Sequence, residues 1–199
     1  MQIDLKDRVA ALTGGDHPVG AVLSRRLAEN GAAVELLADR RGEAVGEVAA
    51  RRGRIDILVN ILLDGDMTVG EIDGLCRASA QAMRAGGRIV NVTSALGLVP
   101  ARGAGGLAAV AAGILSLTRT LALELGPSGI LVNGLGVGAD EANDVLSQRL
   151  LSHVPMARAG RFDEIASAVL FLVDPDNSYM TGHVMTVDGG WTVGFARNF

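Results

Sequence analysis

The stretch "LTGGDHPVG" places Thr13, Gly14 and Gly20 around a turn between an apolar run and a helix-like segment. Glycines at such a turn let the chain reverse tightly and let the helix pack on the strand, and the helix N-terminus can then hold a phosphate on its N–H groups. Pro18 stands in the middle of this turn. Its ring fills space and it brings no N–H, although its fixed φ suits the first turn of a helix. The turn is therefore expected to serve the fold and not a phosphate. A second candidate is Ser94, at the end of "GRIVNVTS", but a serine hydroxyl needs a base within hydrogen-bond reach before it is more than an ordinary polar group. His17, His153 and His183 are the three histidines, each read as a surface or structural group, and Asp140, Glu141 and Asp144 form an acidic loop read as solvated. Tyr179 is read as packing. The single Cys76 can make neither an internal disulfide nor a metal site and is expected as a small buried side chain.

These residues need a frame to hold them. Apolar runs at residues 8–12, 33–38, 56–60, 88–93, 129–134 and 183–188 alternate with helical stretches, the pattern of a doubly wound parallel α/β sheet of about six strands. The runs are continuous and not alternating, as expected where helices cover both faces. The interval between the second and third runs has room for one crossover helix only, so one strand-helix unit is expected to be missing from a typical doubly wound fold. Residues 1–199 are read as one domain. With 49% hydrophobic and 20% charged residues the chain is no disordered segment, and a net charge of -4 with scattered arginines argues against nucleic acid. No membrane span is expected, and the start of the chain reads as cytoplasmic. "NVT" at 91–93 matches a glycosylation acceptor but falls in a strand-like run, where coincidence is the reading.

The glycine turn resembles the T-G-x-x-x-G-x-G pattern of the short-chain dehydrogenase/reductase family, with Thr13, Gly14 and Gly20 matching and Pro18 at the middle glycine. The resemblance runs almost end to end. Asn60, in "DILVN", is what remains of the family's N-N-A-G, "GRIVNVTSALG" ends at the family serine on Ser94, and residues 155–190 give the most specific match. It implies a Rossmann-like fold. It also implies a catalytic tyrosine and lysine on the helix after the serine, and those positions hold Leu107 and Ala111, which carry neither a proton nor a charge. Asp39 and Arg40 stand about where the family contacts the cofactor ribose, and are read as a solvated turn.

The segment 105–125 has only Arg119 and Glu124 charged, with large apolar residues around its whole circumference, so cover from a second chain is expected. On this resemblance the chain is expected to be a non-catalytic subunit. It would bind no cofactor itself, with NAD or NADP in a homologous active partner. Pairing in a heterotetramer would use the helices at 71–85 and 105–125, the last strand and the tail with Trp191, Phe195 and Phe199. Two-subunit dehydrogenases such as the hydroxybenzylsuccinyl-CoA dehydrogenase of anaerobic toluene degradation give the expected context. The alternatives are an active NAD(P)-dependent oxidoreductase with atypical catalytic residues, and a homo-oligomeric ligand sensor.

Overall fold

The computed structural model describes residues 2–37, 42–64, 67–142 and 145–194, with the side chains of 145–147 excepted. Asp39, Arg40, Asp144, Phe195 and Phe199 lie outside the described residues. Six strands form one parallel sheet: β1 (Val9–Leu12), β2 (Ala33–Leu36), β3 (Ile57–Leu62), β4 (Arg88–Ser94), β5 (Leu131–Val137) and β6 (Val184–Val187). Their spatial order is β2-β1-β3-β4-β5-β6. The order reverses between β1 and β3, and that is the topological switch point at which the carboxyl ends of the strands open a crevice.

Helices cover both faces. α1 (Pro18–Glu29) and α6 (Phe162–Val173) pack on one, where Val19, Leu23, Leu27, Val169 and Leu170 meet Leu12, Val59, Val90 and Val92. On the other face lie α2 (Gly42–Arg52), α3 (Val69–Ala82) and α4 (Gly105–Leu125), with Val45, Ile72, Leu75 and Ile114 against Ala11, Leu58 and Ile89. Every residue of β1 and β3 is buried, which is why these strands read as unbroken apolar runs. β2 is only partly buried and forms the sheet edge, with Leu36 55% exposed. A short α5 (Val145–Leu151) follows β5.

The helix starts follow from local chemistry. α3 begins with a reciprocal box in which Glu71 N–H donates to Thr68 Oγ1 (3.2 Å) and Thr68 N–H to the Glu71 carboxylate (2.8 Å). Glu141 accepts from Phe162 N–H (2.8 Å) at the start of α6, and Asp140 accepts from Ala142 N–H (2.9 Å). Asp140 and Glu141 thus cap backbone N–H groups, because the first N–H groups of a helix need acceptors. Tyr179, expected to pack, is instead fully exposed on the loop before β6.

α4 rests on the sheet by one face. Together with the turn after it, Gly105–Ser128 is apolar enough to match a bilayer span, but Ile114, Leu121 and Ala122 bury against the sheet, with Val110, Leu117 and Leu125 packed at their flanks. Its exposed positions are Gly105, Gly106, Ala109, Ala112, Ser116, Arg119, Thr120, Leu123 and Glu124, with Leu123 80% exposed. The outer face of α4 is thus mostly small or polar and carries one large apolar side chain, Leu123.

Candidate functional site

The switch-point crevice brings together the glycine turn, the end of β3 and the end of β4. Gly14 has φ +65, and a Cβ there would lie 2.5 Å from the Ile61 carbonyl oxygen, so glycine is required twice over. At Gly20 a Cβ would sit 2.7 Å from the Gly14 carbonyl oxygen, which confirms its role in seating α1 against the turn. Pro18 is the first residue of α1. His17 precedes it as the cap: its Nδ1 accepts from Val19 N–H (3.2 Å), and its carbonyl accepts from Gly20 N–H (2.8 Å). Proline lacks an N–H and the next two N–H groups are engaged within the turn, so the first turn of α1 spends its donors on itself. His17 is 9% exposed, with its ring edge-on to Phe162 at 6.1 Å. A cap of this kind is hard to see in sequence, because it depends on which ring nitrogen carries the proton.

Thr13 and Asn60 do not face the crevice as ligand groups. They start a buried polar chain that crosses the sheet. Thr13 Oγ1 donates to Asn60 Oδ1 (3.3 Å), Asn60 Nδ2 to Asn91 Oδ1 (2.8 Å), Asn91 Nδ2 to Thr118 Oγ1 (2.9 Å), and Thr118 Oγ1 to the Ile114 carbonyl (2.9 Å). All four side chains are 0% exposed. Cys76 adjoins the chain, accepting from Asn60 Nδ2 at 3.4 Å, and burial pushes its thiol up to about 12, so it is inert as a nucleophile. The chain ties the glycine-turn strand to β3, β4 and α4, and full satisfaction makes such a network rigid. Asn91, of the "NVT" triplet, is accordingly inaccessible.

Ser94 ends β4 half-buried, its Oγ accepting from Leu96 N–H (3.2 Å). Thr93 beside it is fully buried, and its hydroxyl has no partner among the described residues. Leu107 packs on a small apolar cluster of Ala95, Leu96, Ala104, Ala139, Leu150, Val154 and Trp191. Ala111 is 0% exposed, and Gly97 rests on it so closely that a Cβ on Gly97 would lie 2.7 Å from the Ala111 carbonyl carbon. Trp191, expected in an interface with a second chain, is buried at 9% exposure against its own chain's Ala95, Leu96 and Val154. His153 pairs with Ser152 at the surface and His183 is exposed before β6, so neither approaches Ser94 through a described contact.

Comparison with known proteins follows the same outline. The family model described as Enoyl-(Acyl carrier protein) reductase matches residues 72–192. The 3-oxoacyl-[acyl-carrier-protein] reductase FabG of Chlamydia muridarum is 30% identical, over 94% of this chain and 98% of that protein. The (2S)-[(R)-hydroxy(phenyl)methyl]succinyl-CoA dehydrogenase subunit BbsD of Thauera aromatica is 32% identical, over 94% of this chain and 97% of its own. These alignments run over 242 and 241 positions against 199 residues here, so the relatives carry internal segments without a counterpart in this chain. Among solved structures, a short chain dehydrogenase from Burkholderia cenocepacia in complex with NADP superposes with a TM-score of 0.81 at 29% identity, over 94% of this chain and 98% of that one.

These findings correct two expectations. A non-catalytic subunit, and a chain that binds no cofactor, are both overturned by relatives that span nearly the whole chain and are named as reductases and dehydrogenases, one of them solved with NADP. Pro18, Leu107 and Ala111 are single side chains in a chain that its relatives match nearly throughout, so their loss is not the loss of the whole activity.

Proposed function

The chain belongs to the short-chain dehydrogenase/reductase family, and on that premise we propose that it is an NAD(P)(H)-dependent oxidoreductase with atypical catalytic residues, interconverting a ketone and a secondary alcohol on an acyl-type substrate. The observation that carries this reading is the near-complete coverage by relatives named for that chemistry. The crevice supports it in part. Gly14 and Gly20 keep the backbone turn as tight as a pyrophosphate turn requires, and Ile61–Leu63 wall its far side. The spent donors of α1 leave less to hold the phosphates, so the affinity is modest. A bound nicotinamide supplies hydride chemistry. Leu107 and Ala111 hold no proton, so Ser94 Oγ polarises the substrate oxygen and solvent completes the proton transfer. Leu96, Leu150, Val154 and Trp191 form a buried apolar cluster on which Leu107 packs.

In this reading the chain works as one domain in a cytoplasmic setting. It associates with another chain of the same fold through α3, α4, β6 and the tail, using the small-residue face of α4 and the exposed Leu123. The test is a fluorescence titration with NADH and NADPH, followed by turnover of a 3-oxoacyl thioester at the nicotinamide absorbance. Saturable binding and substrate-dependent oxidation are expected. No saturable binding at millimolar nucleotide would sink the proposal.

A further inference from the structure

His17 lies across the first turn of α1, with Nδ1 on Val19 N–H at 3.2 Å. It is 9% exposed, its ring edge-on to Phe162. A neutral imidazole has one acceptor and one donor nitrogen, so an Nδ1 that accepts puts the ring proton on Nε2. That Nε2–H makes no hydrogen bond among the described residues.

The start of α1 is therefore arranged the wrong way round for an anion. Pro18 has no N–H, Gly20 N–H goes to the His17 carbonyl (2.8 Å), and the Nδ1 lone pair stands on Val19 N–H, where a phosphate oxygen would otherwise bind. Turning the ring aside would release Val19 N–H, but a side chain this buried against Phe162 has packing to lose. Protonation releases the same N–H and changes the sign of the ring. An imidazolium carries N–H on both nitrogens and accepts nothing, so an anionic oxygen can take Val19 N–H and the ring together.

We propose that His17 couples nucleotide binding to the uptake of one proton from solvent, the cofactor pyrophosphate taking Val19 N–H in place of the ring, which binds as the imidazolium. This rests on the reading of the chain as a nucleotide-dependent oxidoreductase. His17 is then a positioning residue for the cofactor, and the donor it frees at Val19 stands next to the one that Pro18 lacks. Charged groups stand on the elements around the ring: Asp16 in its own turn, Asp64 after β3, Glu141 on Phe162 N–H, and Arg161, Asp163 and Glu164 at the start of α6. Asp163 is held by Arg25 and Arg26, and Glu164 by Arg158 and Arg161. Carboxylates and guanidinium groups keep their charge near neutrality, where histidine changes its own. The bound chain holds a proton that the free chain gives up, so affinity weakens as pH rises.

The experiment is calorimetric titration of the full chain with NADH in two buffers of different ionisation enthalpy, repeated between about pH 6 and 8. NADH is the probe because NADPH adds a phosphate monoester that titrates in the same window. Net proton uptake is expected, with Kd rising by up to about tenfold per pH unit. His17→Asn keeps an acceptor for Val19 N–H but cannot be protonated, and is expected to bind NADH weakly, with no proton uptake and no pH dependence. NADH bound by the unaltered chain without proton uptake would overturn the proposal and leave the oxidoreductase reading standing, as would undiminished uptake in His17→Asn. No NADH binding at any pH would overturn both.

Discussion

β4 and α4 meet at two levels, built by opposite rules. At the inner level Asn91 and Thr118 join them through a hydrogen-bonded pair that continues to Asn60 and Thr13, all fully buried. Two to three turns earlier in α4 stand Leu107, which packs on an apolar cluster, and Ala111, on which Gly97 rests. The difference separates two jobs of one interface. The inner level fixes where α4 sits; the outer level decides what chemistry is done there. A polar chain with every member paired cannot lose a link cheaply, whereas the half-buried Leu107 can be exchanged at less cost to the fold.

Breaking the inner level has the largest expected effect. Asn91→Leu removes the acceptor of Asn60 Nδ2 and the donor to Thr118 Oγ1, two buried bonds at once. The expected cost is about 2–4 kcal/mol, seen as a fall in the unfolding midpoint of roughly 10 °C. A fall of only a degree or two would mean that the chain of polar groups is ornamental and α4 is held by apolar packing alone.

Outer-level substitutions sharpen the same contrast. Ala111→Lys places an ammonium where there is no exposure and where Gly97 already touches the backbone, so a cost of about 2–3 kcal/mol is expected. Leu107→Tyr, at a half-buried position on the edge of the third cluster, is expected to fold normally. If Ser94 is the polarising group, it raises turnover by about 10²-fold, since a positioned proton donor contributes that much or more. Unchanged turnover with nucleotide still bound would show that substrate does not reach Ser94.

Legibility in sequence followed the same division. Fully buried β3, and β4 buried up to Ser94, were readable as continuous apolar runs, and the helix over 105–125 was placed at its observed ends. The six-stranded parallel sheet followed from the count of apolar runs and the length of chain between them. β2 ends at Leu36, so Leu37 falls outside a strand expected over 33–38, because at a sheet edge burial fades and leaves no sharp signal; Ala38 lies outside the described residues. The Thr13–Asn60–Asn91–Thr118 chain was invisible, since its links join residues 47, 31 and 27 positions apart and no local pattern encodes such pairings. Pro18 was correctly placed at a helix start, but its neighbour's cap was missed, and one altered side chain was given too much weight against the rest of the crevice.

Pro18→Gly tests that weight directly. Glycine restores an N–H and opens the turn beside Gly14 and Gly20, at a stability cost of up to about 1 kcal/mol from a more flexible unfolded chain. Nucleotide affinity is expected to tighten about tenfold, equivalent to about 1.4 kcal/mol. If affinity does not change, His17 and not Pro18 limits the site, because its ring and carbonyl hold the Val19 and Gly20 N–H groups in either sequence.

The smallest effect is expected at the surface end of α6, which serves as the scale for the interior. Hydrogen bonds from Arg158 (2.7 and 2.9 Å), with help from Arg161 N–H (2.8 Å), hold the Glu164 carboxyl down to about 2, against an ordinary 4.5. A depressed value in the folded state means the charged form is favoured by folding. Its contribution is complete above about pH 4.5 and is lost as pH falls toward about 2. Glu164→Gln should therefore flatten the acid limb of urea stability across that window and change little in the shape of the curve near neutrality. The pair is half solvent-exposed and screened, so its loss should be far smaller than that of Asn91→Leu. Equal losses from the two variants would erase the distinction between a buried satisfied chain and a surface ion pair.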